Sequence, residues 1–100
     1  MRKEFSLFHE EFKKEFLPNV LNREITQQGI YACNIVEKIA TEYKMSKNKI
    51  QLLEMSVFGA SRVFNNYIIK HSALPLVEVK KYMYRAILNS LENIYGKFYE

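Results

Sequence analysis

Along this chain the large apolar residues recur at steps of three and four rather than two, the spacing of one face of an α-helix. Phe5, Phe8, Phe12 and Phe16 put four rings on one stripe of a segment from Lys3 to Leu17, with Glu10 and Lys14 four apart on its wet side. Pro18 ends or kinks this segment, because proline gives no hydrogen bond to the helix ladder and biases Leu17 away from helical dihedrals. A second segment, Asn22 to Tyr43, carries Ile25, Ala32, Val36, Ile39 and Tyr43, with Asn22 placed as its N-cap. Gly29 lies inside it. A mid-helix glycine costs up to about 1 kcal/mol relative to alanine, so it marks either a break between two short helices or a close helix contact.

The third segment opens at Ser46 or Asn48 and runs to His71, with a heptad-like seam of Ile50, Leu53, Val57, Ala60, Phe64 and Tyr67. Its other faces are apolar too, through Leu52, Met55, Phe58, Val63 and Ile69, and Ser56, Gly59, Ala60 and Ser61 form a small-residue patch. A helix apolar nearly all round must sit centrally in a bundle or be covered by a partner. The fourth segment opens on Leu74-Pro75-Leu76-Val77-Glu78, which places proline in the first turn and a carboxylate near the positive helix end. Its stripe is Leu76, Val79, Met83, Ile87, Leu91 and Ile94, and Gly96 is the expected C-cap, leaving residues 97–100 as a tail.

These segments predict an all-α fold, a single helical bundle of four to five helices over residues 1–100. The last two helices are long, and one is apolar on more faces than its own chain can cover. They are therefore expected to meet those of a second copy in a four-helix dimer interface, built on Val57, Ala60, Phe64, Tyr67, Met83, Ile87, Leu91 and Ile94.

Composition narrows the function classes. With 100 residues, 48% of them hydrophobic, the chain suits one domain with one core, and three glycines and two prolines exclude linker-like or collagen-like chains. The single Cys33 excludes a disulfide scaffold, no apolar run reaches the roughly 18 residues of a membrane span, and the expected compartment is a reducing cytoplasm. Fifteen basic residues against eleven acids give a net charge of +4, but the basic groups are scattered among glutamates. A nucleic-acid footprint is usually a denser stripe of one sign, so direct nucleic-acid binding is not expected.

Catalysis has little to draw on. There is no aspartate, the glycines are isolated, and His9, His71 and Cys33 lack metal-ligand spacing, so neither a metal nor another cofactor is implied. A Cys33–His71 dyad across two helices competes with the simpler reading of a small buried thiol and a histidine near a helix C-terminus. A pocket between helices is better supported than an enzyme. Tyr31 and Cys33 from the second segment and Phe58, Arg62, Asn65 and Asn66 from the third are its candidate lining, with Arg62 offering a cation to an acidic ligand.

Residues Leu52 to Gly96, LLEMSVFGASRVFNNYII and then LPLVEVKKYMYRAILNSLENIYG, resemble the last two helices of the C-terminal regulatory domain of TetR-type transcriptional regulators. The LP-x-x-E opening of the last helix is frequent there, and FHEEFKKEFLP followed by REITQQGI is similar to the segment that leads into a glycine-containing turn. The resemblance implies dimerisation through the last two helices and a pocket for a small apolar or acidic inducer. It also implies mixed dimers with an intact repressor if the chain stands alone. Two features depart from the family. Its helix-turn-helix module has no counterpart here, and Cys33 stands where a second glycine often follows the first. The competing reading is a small helical adaptor or antirepressor that binds a protein partner through the apolar third helix.

Overall fold

A computed structural model describes the backbone of residues 2–70, 73 and 75–99, and the side chains of residues 7–67, 73 and 75–94. Among them are four helices and no strand: α1 (Arg2–Val20), α2 (Ile25–Glu42), α3 (Lys47–Lys70) and α4 (Leu76–Tyr99). α1 packs on α2 and α4, α2 on α3, and α3 on α4, while α2 also reaches across to α4. Neighbours run antiparallel. Gln28 meets Val20 and Lys38 meets Glu15 across α1 and α2, and Lys80 meets Leu21 where α1 ends beside the start of α4.

The core is built by the predicted stripes, except that Leu76, at the start of α4, and Tyr67, at the end of the α3 seam, stay exposed. Phe8, Phe12, Phe16 and Val20 of α1 are fully buried, with ring centroids 6.4 Å apart for Phe8–Phe12 and 4.9 Å for Phe12–Phe16. Ala32, Val36 and Ile39 of α2, Leu53 and Val57 of α3, and Met83, Ile87 and Leu91 of α4 close the rest. Fully burying one such side chain is worth about 1.5–3 kcal/mol. The side chains of Phe5, read into the first stripe, and of Ile69, read onto the other faces of the third segment, and all of Leu74, read into the opening of the fourth, lie outside the described residues.

Several boundaries differ from expectation, each for a local reason. α1 does not stop at Leu17 but runs through Pro18 to Val20. So close to the helix end proline forfeits one ladder bond, and full burial of Val20 rewards the extra turn. Glu10 pairs with Lys13 at 3.0 Å rather than with Lys14, which instead lies 3.9 Å from Glu11. Asn22 is not an N-cap: its N–H closes a turn onto the Asn19 carbonyl, and the N-cap of α2 is Glu24, whose side chain makes no capping bond. Ser46 does cap α3, its Oγ accepting the Lys49 N–H at 3.2 Å. Pro75 precedes α4 rather than standing inside its first turn, and its carbonyl accepts the N–H groups of Glu78 and Val79. α4 continues through Gly96 to Tyr99, so that glycine ends nothing.

α2 ends in a Schellman motif. The Lys44 N–H donates to Thr41 O and the Met45 N–H to Ala40 O, and Lys44 takes the left-handed conformation at φ 56°. Gly29 breaks no helix. It is buried where α2 crosses α3, and a Cβ there would fall 2.1 Å from Ser61 Oγ and 2.7 Å from Ser61 Cβ. Across α3 and α4, Ser56 Oγ donates to the Ser90 carbonyl and Ser90 Oγ to the Ser56 carbonyl, each at 3.0 Å. Two of the four residues in the predicted small patch thus serve contacts within the chain.

Candidate functional site

The six candidate ligand residues divide between two sides of α2. Tyr31 is turned to α1: its hydroxyl donates to the Glu15 carbonyl at 3.2 Å, its ring stacks on Phe16, and the Arg23 guanidinium carbon lies 4.2 Å from its ring centre. Cys33, two residues on and so on the opposite flank of the helix, is turned to α3, where Sγ lies 3.4 Å from the Glu54 carbonyl. Burial, and secondarily the Glu54 carboxylate, push its thiol up to about 11. A thiol held protonated at neutral pH is a poor nucleophile. His71, its suggested partner, lies outside the described residues.

On α3, Phe58, Arg62 and the half-buried Asn65 lie one above another at steps of four and three, on the flank nearer α2. Phe58 and Arg62 are exposed, and Asn66 is turned further out into solvent. Cys33, Phe58, Arg62 and Asn65 thus belong to the α2–α3 flank, and Tyr31 does not. The same flank holds Glu54, whose carboxyl is raised by burial and by the neighbouring Glu37 carboxylate.

The eight predicted interface residues are placed mostly inward. Val57, Met83, Ile87 and Leu91 are fully buried within one chain, Ala60, Phe64 and Ile94 are half-buried, and Tyr67 alone of the eight is exposed. The seam read from the sequence therefore closes the chain's own core. A second apolar surface is the opposite stripe of α3, where Leu52, Met55, Phe58, Val63 and Tyr67 are all exposed, Val63 by 71%, with the Tyr67 ring 6.1 Å from that of Phe64. Gly59 lies in the middle of this stripe, and a Cβ there would meet nothing within 4 Å among the described residues.

One polar group was missed. Gln28 is fully buried, its Nε2 donates to the Val20 carbonyl at 3.2 Å, and its Oε1 has no hydrogen-bond partner among the described residues. The signal was its place in the series Gln28, Ala32, Ile35, Ile39, which puts it on the core face. At the far end of the bundle His9 Nε2 lies 3.2 Å from Glu92 Oε1, and desolvation pulls the imidazole below its ordinary range against the opposing pull of Glu92.

Among the described residues no three His, Cys, Asp or Glu side chains are grouped to hold a metal, and no helix is long and apolar enough to cross a membrane. No family model matches the chain, and neither the curated proteins nor the solved structures contain a match to it.

Proposed function

We propose that this chain is the dimerisation and ligand-sensing domain of a TetR-like transcriptional regulator, without a DNA-reading module of its own in these 100 residues. The observation that carries the association half is the apolar outer stripe of α3, Leu52, Met55, Phe58, Val63 and Tyr67, exposed on a bundle whose core is already closed. A contiguous apolar surface rimmed by polar residues is the usual mark of an interaction site. The partner in this reading is a second copy of the chain, or an intact repressor that offers the same face and forms a mixed dimer.

The sensing half rests on the α2–α3 flank. Phe58 supplies apolar surface, Arg62 a cation and Asn65 an amide, a set suited to a small apolar or acidic molecule. No catalytic role is assigned, in keeping with the protonated state of Cys33.

Light scattering over a concentration series, with native mass spectrometry on the same sample, tests both halves. A mass of twice the 11.9 kDa chain, with a retained small molecule, is the expected result. A folded monomer at every concentration would overturn the reading, and one that dimerises only with a foreign protein would replace it by the adaptor.

A further inference from the structure

We draw no further inference here: the strongest candidate, the exposed apolar stripe of α3 around Gly59, belongs to the association surface already described, and nothing in the structure shows what covers it.

Discussion

Gly29 of α2 and Ser61 of α3 occupy a single space: a Cβ on the glycine would fall 2.7 Å from the serine Cβ, closer than side-chain carbons come without one backbone moving. Ser61 is itself buried and holds its hydroxyl on the Phe58 carbonyl at 2.8 Å, so turning it away breaks that bond. Gly29→Ala is therefore expected to lower stability by about 1–3 kcal/mol despite alanine's better helix propensity. Ser61→Gly in the same chain should restore much of the loss. Urea denaturation of the two single variants and the double variant checks this, and additive losses would show that the contact is not shared.

Lys44 takes a left-handed conformation that costs a side-chain-bearing residue about 1–2 kcal/mol relative to the right-handed region. It does so to close the Schellman motif that ends α2. Lys44→Gly should raise the stability of the chain by about 0.5–1 kcal/mol, since glycine adopts that conformation freely. Thermal melts of the two proteins side by side measure it, and a fall in melting temperature would contradict the motif.

Cys33 sets an alkaline limit. Its pKa is about 11 in the folded chain against 9.0 for a free thiol, so the folded state holds this proton more tightly than the unfolded state. The stability linked to it is fully present below pH 9.0 and is lost as pH rises towards about 11. Cys33→Ala should flatten that alkaline limb. At pH 8 the native thiol should react with iodoacetamide at least about tenfold more slowly than the unfolded chain, because the thiolate is the reacting species. Equal rates would contradict its burial.

Gln28 places a carboxamide in the core with one oxygen unpaired among the described residues. Its other bond is to the Val20 carbonyl, which also accepts the Arg23 N–H at 3.1 Å and so keeps a partner without it. An unpaired buried acceptor costs about 1–3 kcal/mol, so Gln28→Met, similar in volume and apolar, should be neutral to about 1 kcal/mol stabilising. A loss above about 2 kcal/mol in chemical denaturation would show that the amide makes a bond this account lacks.

The helical fold was legible because one signal dominates it. Apolar residues at steps of three and four mark stripes that the structure buries, from Phe8 on α1 to Leu91 on α4. Helix ends were less legible, since they turn on single bonds. Pro18 was read as a stop or a kink although its helix runs on with the loss of one bond there, and Gly96 as a cap although glycine only permits a turn. Periodicity also cannot tell a seam that faces the chain's own helices from one that faces a partner. Val57, Met83, Ile87 and Leu91 were read as interface for that reason and lie in the core. The exposed stripe of α3 was visible as excess apolar surface but became an identifiable face only once the core had claimed the other. Tyr31 and Cys33 were read as lining one pocket between helices, whereas two residues of helix turn them to opposite neighbours.

The central claim is that the outer stripe of α3 is an association surface, and sedimentation equilibrium of the parent chain beside a Met55→Glu, Val63→Glu variant tests it most directly. Both side chains are exposed, by 63% and 71%, so the variant should fold as the parent does by circular dichroism. The account predicts twice the 11.9 kDa chain mass for the parent and a single chain mass for the variant. Equal masses for the two folded proteins, whether one chain or two, would contradict it.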